Sequence, residues 1–205
     1  MLKNAVQEIY LYKNTSILQH ILDKLTQIYP LDERHIAQLR GLMRRVEMPR
    51  NRVIIRADRV EKSIYFIEKG IARAYCDGPD NQITFWFGME GDLIFSYNSY
   101  INGLAGYESV ELLEACVLHE INLDDLQQLF DSDVVFANWG RKLAERELIK
   151  TEERLIARLF RSATERYQEL LSSNPALIQR IQLGYIASYL GVTQVTLSRI
   201  RAEIR

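Results

Sequence analysis

Polar and apolar side chains at the end of the chain are spaced so that hydrogen-bonding groups could face another molecule. In LGYIASYLGVTQVTLSRIRAEIR, residues Leu183–Arg205, the apolar positions predict two short helices separated by Gly191 and Val192. Gly191 can adopt the positive φ that a tight turn needs, and the small Ala187 allows a close helix crossing. This arrangement is typical of a helix-turn-helix, whose second helix enters the major groove of DNA.

The outer face of the second predicted helix holds the candidate DNA contacts. These residues are Thr193, Gln194, Val195, Thr196, Ser198, Arg199 and Arg201. Arg199 can donate two hydrogen bonds to O6 and N7 of guanine, whereas Val195 can contact only a thymine methyl group. Thr193 is predicted to cap the helix, and it and Thr196 are expected to hold phosphates. An ordinary pair of packed helices is the alternative, disfavoured because Glu203 is the only acid in this segment.

The rest of the chain must position this segment. Apolar spacing predicts a helix over residues 16–28, with Ile17 and Ile21 on its inner face, that ends at Pro30. Asp32 is expected to cap a second helix that runs to about Arg45. Short β-branched or aromatic runs separated by turn residues then predict strands near 53–55, 64–67, 71–75, 83–87 and 117–121. Strands at this spacing indicate an antiparallel barrel or roll.

A long helix is predicted from Asp133 to Phe160, after a short one over 124–130. Its apolar stripe favours a dimer seam, and the alternative is a helix that lies across its own barrel. The residues expected at the seam are Leu148, Leu155, Ile156 and Leu159. The capping box Ser162-Ala163-Thr164-Glu165 restarts the helix, which places a hinge near Arg161. Arg161 and Arg166 are candidates for phosphate contacts.

Charge and composition are uneven along the chain. Residues 141–205 hold 12 Lys and Arg against 7 Asp and Glu, whereas residues 1–140 hold 14 against 20, although the net charge is −1. A basic end joined to an acidic remainder fits a DNA module carried by a regulatory module. Cys76 and Cys116 are expected to be buried thiols in a reducing cytoplasm. The sequence shows neither a signal peptide nor an apolar run long enough to span a membrane.

The chain resembles the Crp/Fnr regulators over roughly Leu31 to Arg205. Motifs similar to that family are Tyr65-Phe66-Ile67-Glu68-Lys69-Gly70, Gly91-Asp92-Leu93-Ile94 and the segment Tyr185 to Arg201, which is most like the Bacteroidetes branch. The resemblance implies an α+β fold: an N-terminal antiparallel β-roll like a cyclic-nucleotide-binding domain, a long dimerisation helix and a C-terminal helix-turn-helix. It implies an arm over 1–30, a sensor roll over 31–131, the dimerisation helix over 132–160 and a DNA-binding domain over 161–205. The implied partners are double-stranded DNA, a second copy of the chain, RNA polymerase and an unidentified small-molecule effector.

The sequence departs from that family at the effector site. Cyclic-nucleotide binders of the family have a Gly-Glu pair and then an arginine phosphate clamp, where this chain has Phe95-Ser96-Tyr97 and Gly106-Tyr107-Glu108-Ser109. A cyclic phosphate needs a charge-assisted partner, and Glu108 would repel it. We therefore expect no cyclic AMP binding. The candidate cradle is Trp86, Phe95, Ser96, Tyr97, Tyr100, Tyr107 and Glu108. It predicts an apolar or aromatic effector with weak charge dependence, and the alternative is that these aromatic residues fill the core and leave no pocket.

Further departures concern metals and the DNA code. An iron–sulfur sensor would need four cysteines, and His20, His35 and His119 are isolated, so we expect no metal and no cofactor. The family's usual glutamate in the recognition helix is replaced by Val195, while Arg199 matches its guanine-reading arginine, so the operator should differ. An enzyme on a cupin-like roll is disfavoured because His119 is the one histidine on a predicted strand. The other alternative is a β-roll interaction module whose helix-turn-helix no longer binds DNA.

Overall fold

The computed structural model describes residues 21–204. After a helical segment at 21–26, its helices are α1 (Glu33–Leu42), α2 (Tyr97–Asn102), α3 (Leu123–Ser132), α4 (Val134–Phe160), α5 (Ala163–Ser173), α6 (Pro175–Arg180), α7 (Leu183–Leu190) and α8 (Gln194–Ile204). Its strands are β1 (Arg44–Met48), β2 (Val53–Ile55), β3 (Ser63–Lys69), β4 (Ala72–Asp77), β5 (Gln82–Gly88), β6 (Leu93–Ile94), β7 (Ser109–Leu112) and β8 (Cys116–Asn122). The expectations for Ile17 and His20 lie outside the described residues.

The N-terminal helices pack against the roll and against α4. Ile21, Leu22 and Leu25 are buried in a core that includes residues of β3, β8 and α4. Asp32 caps α1, because its carboxylate accepts a hydrogen bond of 2.9 Å from the His35 N–H. The predicted continuation of this helix to Arg45 is wrong. The helix ends at Leu42, and β1 pairs antiparallel with β8 instead. Backbone partners from a distant strand outweigh the local helical pattern.

The roll consists of two four-stranded antiparallel sheets that face each other. Their strand orders are β1-β8-β3-β6 and β2-β7-β4-β5. All five predicted strands are present, whereas β1, β6 and β7 were not predicted. Gly70 makes the turn after β3 with a φ of +115°, and a Cβ at that position would lie 2.3 Å from the Cys116 Sγ. Only glycine fits this turn without displacing β8.

The long helix α4 has two halves with different surroundings. Asp133 caps it by accepting a hydrogen bond of 2.9 Å from the Val135 N–H. In the first half, Phe136 and Trp139 are fully buried, and the Trp139 indole donates to the Leu25 carbonyl at 2.9 Å. The second half leaves this core. The helix therefore lies partly across its own domain, as the alternative reading of its stripe held, and is free of it farther on.

The C-terminal helices form a third core, which also includes Ile71 and Leu113 of the roll. The capping box predicted at Ser162 and Glu165 is present at the start of α5. Pro175 begins a short helix, α6, which the sequence reading missed because it took Pro175 only as the end of the preceding helix. Seven apolar residues of α5 to α8 are among those buried here: Tyr167, Leu170, Leu177, Ile186, Leu190, Leu197 and Ile200. The fold is thus α+β, with an antiparallel roll, a long helix and C-terminal helices.

Candidate DNA-binding surface and roll cavity

Two helices joined by a tight turn, α7 and α8, form the predicted helix-turn-helix. Gly191 ends α7 in the left-handed region with a φ of 69°. The Gly191 N–H donates to the Ser188 carbonyl and the Val192 N–H to the Ala187 carbonyl, both at 3.0 Å. Ala187 is buried between the helices. The turn glycine and the small residue therefore occupy the places that the sequence predicted for them.

Thr193 caps α8, as predicted. Its hydroxyl oxygen accepts a hydrogen bond of 3.1 Å from the Thr196 N–H, and the two hydroxyl oxygens lie 3.0 Å apart. This pair orders the first turn of α8, which is where a recognition helix meets the DNA. Both threonines are exposed.

The outer face of α8 is exposed, and its inner face is buried. Leu197 and Ile200 anchor the helix, while Val195 is 61% exposed. Arg199 is exposed and forms neither a hydrogen bond nor an ion pair with another residue of the described range. Gln194 and Ser198 are also exposed, whereas Arg201 is half-buried. Six of the seven residues predicted to contact DNA are therefore exposed, and the seventh, Arg201, is half-buried.

Arg161 and Arg166 have intramolecular partners, which disfavours them as phosphate contacts. Arg161 forms an ion pair with Glu169. Arg166 donates to the Leu190 carbonyl at 2.7 Å and also to the Arg161 carbonyl. Arg166 therefore hydrogen-bonds carbonyl groups at the C-terminal ends of α7 and α4. This role is visible only in the tertiary structure.

A cavity of about 720 Å³ opens between the roll, the second half of α4 and the C-terminal helices. Five of the seven predicted cradle residues line it: Trp86, Phe95, Tyr97, Tyr107 and Glu108. The alternative reading, in which the aromatic residues fill the core and leave no pocket, is wrong. Two tilted ring pairs stand on its roll wall, Phe95 with Tyr97 at a centroid distance of 4.3 Å and Phe85 with Tyr107 at 6.4 Å.

Ser96 and Tyr100 take other places, contrary to the prediction. The Ser96 hydroxyl is buried and caps α2 by accepting a hydrogen bond of 3.4 Å from the Ser99 N–H. Tyr100 lines a smaller apolar groove of about 80 Å³ between α2 and α4. The unpredicted helix α2 accounts for both places, because Ser96 caps it and Tyr100 lies on it at the groove toward α4.

The far wall of the cavity consists of α4 and the C-terminal helices, which sequence reasoning did not anticipate. Lys150, Arg154, Leu155 and Arg158 of α4 line it, as does Tyr189 of α7. Burial, together with the Glu147 carboxylate, raises the pKa of Tyr97 to about 12, so this phenol remains a hydrogen-bond donor at neutral pH. A ligand in the cavity would touch the roll, the long helix and the C-terminal domain together.

The first helix of the helix-turn-helix, α7, is hydrogen-bonded to the edge strand β5. The Ser188 hydroxyl accepts from the Thr84 N–H and donates to the Gln82 carbonyl, both at 2.9 Å. Arg73 of β4 is buried, with its guanidinium 4.1 Å from the ring centre of Tyr185. The rings of Phe87 and Tyr189 lie 5.2 Å apart.

A second set of contacts, made by Arg180, joins α6 to the turns of the roll. Arg180 donates to both oxygens of Glu90, at 2.8 and 3.1 Å, and also contacts Glu114. Partial burial opposes ionisation of Glu90, but the hydrogen bonds from Arg180 and from the Gly70 N–H lower its pKa to about 2. No sequence signal identifies these contacts, because they join residues far apart in the chain.

The second half of α4 presents an apolar face to solvent. Leu148 is 69% exposed and Leu159 is 67% exposed, and four further large apolar side chains of this half are exposed: Ile149, Leu155, Ile156 and Phe160. Their spacings of four and seven residues place them on one side of the helix. Of the four predicted seam residues, Leu155 also lines the cavity.

The histidines and cysteines of the described range have structural surroundings. His35 joins α1 to the start of α4, with its Nδ1 2.6 Å from Asp32 and its Nε2 3.2 Å from Asp133. His119 is buried, and its Nε2 lies 2.7 Å from Glu68. Cys116 is a buried thiol as expected, but Cys76 is only half-buried.

Two features are absent from residues 21–204. These residues contain no group of three or more histidine, cysteine or acidic side chains that could hold a metal ion. They also contain no helix with the length and apolar character needed to cross a membrane.

Comparison with known proteins supports the fold. Residues 45–133 match the family model of the cyclic nucleotide-binding domain, whereas no curated protein sequence matches the chain. FixK2 from Bradyrhizobium japonicum is similar with a TM-score of 0.69 and 19% identity, over 79% of this chain and 84% of its own. The catabolite activator protein of Thermus thermophilus has a TM-score of 0.56 and 19% identity, over 88% and 86%. A proposed crp/fnr family transcriptional regulator from Eubacterium rectale has a TM-score of 0.69 and 13% identity, over 86% and 87%.

Proposed function

We propose that this chain is a sequence-specific DNA-binding transcription regulator of the Crp/Fnr type. The observation that carries the proposal is α8, which Leu197 and Ile200 hold in place while Val195, Ser198 and Arg199 face outward. Because Arg199 has no partner within the described residues, both edges of its guanidinium are available to a base. The proteins that share the fold, by their descriptions, include a catabolite activator and a transcriptional regulator.

The arrangement of α8 supports a specific reading of DNA. Arg199 is positioned one turn after Val195, so the two side chains would meet neighbouring base pairs in a major groove. Each half-site should contain one strongly required G·C pair beside a position that is tolerant or prefers T. Thr193 and Thr196 lie at the start of the helix, where hydroxyl groups hold phosphates without reading sequence.

We further propose a symmetric homodimer that uses the exposed face of α4. Large apolar patches on a surface mark interaction sites, and the helix is 27 residues long, about 40 Å. Two-fold symmetry would place two recognition helices about 34 Å apart, one turn of DNA. Domains over 1–30, 31–131, 132–160 and 161–205, and contact with RNA polymerase, are parts of the same proposal.

The cavity offers a route from an effector to the DNA-binding helices. Tyr189 and Leu190 of α7 line it together with residues of the roll and of α4. A ligand that favours one orientation of these walls would shift the population of orientations of α7 and α8. The binding of an effector and of DNA would then be coupled, and coupling between two binding sites is reciprocal.

Selection of bound DNA from a random pool tests the proposal. The full chain should enrich a two-fold symmetric site, and cell metabolites added to a parallel selection should change the yield if an effector acts. Arg199→Ala should lose the preference at one base pair in each half-site. Arg50→Ala removes an equally exposed arginine from the turn after β1 and should leave the enriched site unchanged. Failure of the wild-type chain to enrich any sequence would favour the interaction module without DNA binding.

A further inference from the structure

Glu108 is a buried carboxylate without a hydrogen-bond or ion-pair partner among residues 21–204. It precedes β7, is 7% exposed and lines the large cavity. Within the described residues it accepts no hydrogen bond and forms no ion pair. Glu68, the other deeply buried acid of that range, lies 2.7 Å from His119 and 3.3 Å from Arg45. The fold thus supplies partners to one buried acid and leaves the other open.

The side chain of Glu108 lines the cavity, and its oxygens remain partly accessible. Every fully enclosed side-chain oxygen or nitrogen in the described range has a hydrogen-bond partner, so the unpartnered Glu108 oxygens are not fully enclosed. A carboxylate removed from water without a partner is strongly unfavourable. A hydrogen-bond donor bound in the cavity would supply the partner that the described residues do not.

The groups around Glu108 within the roll do not supply a charge. Burial first, and then the Glu108 carboxylate, raise the pKa of Cys76 and of Tyr107, so both are neutral near pH 7. The cations that line the cavity lie on its far wall, Lys150, Arg154 and Arg158 on α4 and Arg166 on α5, and three of them have partners there: Arg166 donates to the Leu190 carbonyl at 2.7 Å. Lys150 lies 2.7 Å from Glu147, and Arg154 lies 2.9 Å from the Thr151 hydroxyl.

The roll wall of the cavity, which includes Glu108, also carries aromatic side chains. Phe85 and Tyr107 form one ring pair, and Phe95 and Tyr97 form another, with Trp86 beside them. Aromatic faces attract cations, and the attraction grows when the cation leaves water. A carboxylate and aromatic rings that line one cavity form a surface that can recognise an organic ammonium group.

We propose that the roll cavity binds a small organic cation whose ammonium group meets Glu108 and whose apolar remainder contacts the aromatic walls. This inference rests on the proposed function only in treating the cavity as an effector site. It replaces the sequence expectation of weak charge dependence, because that expectation assumed that aromatic residues dominate the site. The ligand class is opposite in charge to a cyclic nucleotide.

Three probes of similar shape test the charge preference: phenethylamine, phenethyl alcohol and phenylpropionate. They are titrated into the full-length protein at neutral pH, with fluorescence of Trp86 as the signal. The second tryptophan, Trp139, is buried in the other core and provides a constant background. The amine should bind wild type more tightly than the alcohol, and the anion should bind most weakly.

Glu108→Gln keeps the shape of the side chain and removes its charge. It should weaken phenethylamine at least about tenfold, the equivalent of one pKa unit of interaction, and leave the alcohol unchanged. Asp80→Asn makes the same charge change in the exposed turn before β5 and should bind the amine like wild type. Without ligand, Glu108→Gln should melt at a higher temperature than wild type, because it removes an unpaired buried charge.

Four results would overturn the proposal: no binding of the amine, equal binding of amine and alcohol, undiminished binding by Glu108→Gln, or a lower melting temperature for Glu108→Gln. The last would show that Glu108 has an internal partner in solution. DNA selection by the unliganded wild type is scored separately. If a DNA site is enriched but the amine does not bind, only this inference is contradicted. If the amine binds but no DNA site is enriched, only the proposed function is contradicted.

Discussion

Leu159→Glu is the sharpest test of the proposed dimer. Leu159 lies near the end of α4 and is 67% exposed, and it is not part of the cavity wall. Leu155, on the same face, lines the cavity, so its replacement would disturb two sites at once. A charge at Leu159 should act on the seam alone.

The expected size of the effect follows from the exposed surface. Complete burial of a leucine side chain stabilises by about 1.5–3 kcal/mol. Because Leu159 is 67% exposed in the single chain, a seam that covers it would gain roughly 1–2 kcal/mol per protomer, or about 2–4 kcal/mol per dimer. The dissociation constant should therefore rise about 30- to 700-fold. Two glutamates facing each other across a two-fold axis would add to the loss.

Sedimentation over a concentration series measures this change. Leu171→Glu is the matched control, because it places the same charge at an exposed leucine of α5. The control should remain a dimer, and Leu159→Glu should dissociate and lose tight operator binding together, since one half-site lacks the avidity of two. A wild-type chain that is monomeric at micromolar concentration would refute the reasoning. So would a Leu159→Glu dimer as tight as wild type.

Four further outcomes are expected. Arg199→Ala should cost about 1–3 kcal/mol per half-site and relax one base pair in a quantitative selection; equal weakening of all sequences would make it a phosphate contact. Calorimetry should detect no cyclic AMP binding at physiological levels, because Glu108 repels a phosphate on the roll wall; micromolar affinity would contradict this. Ser188→Ala should destabilise the chain by about 0.5–1.5 kcal/mol and speed hydrogen exchange of the β5 amide that donates to the Ser188 hydroxyl; unchanged exchange would mean that the contact is absent in solution. The Glu90–Arg180 contact should stabilise the chain above pH 4.5 and weaken as the pH falls toward the Glu90 pKa of about 2. The free energy of unfolding should therefore depend on pH differently in Glu90→Gln over this range; the same pH dependence in variant and wild type would argue against the contact.

The local signals in the sequence predicted elements whose determinants lie close together in the chain. The turn at Gly191, the cap at Thr193 and the capping box at Ser162 each depend on residues within four positions of one another. Their hydrogen bonds form as soon as the backbone adopts the local conformation. Short β-branched or aromatic runs between turn residues predicted five strands for the same reason, since the composition of a short segment is a local property.

Tertiary structure alone decided which residues meet. The charged strand β1 exists because β8 offers it backbone partners, and α2 moves Ser96 and Tyr100 out of the predicted cradle. The side chain of Arg166 donates to the Arg161 and Leu190 carbonyls at the ends of α4 and α7. A hydrogen bond between Ser188 and β5 joins residues about a hundred positions apart, and no local pattern marks it. Whether the carboxylate of Glu108 finds a partner is likewise a property of packing, because partners are supplied by whichever distant elements the fold brings alongside.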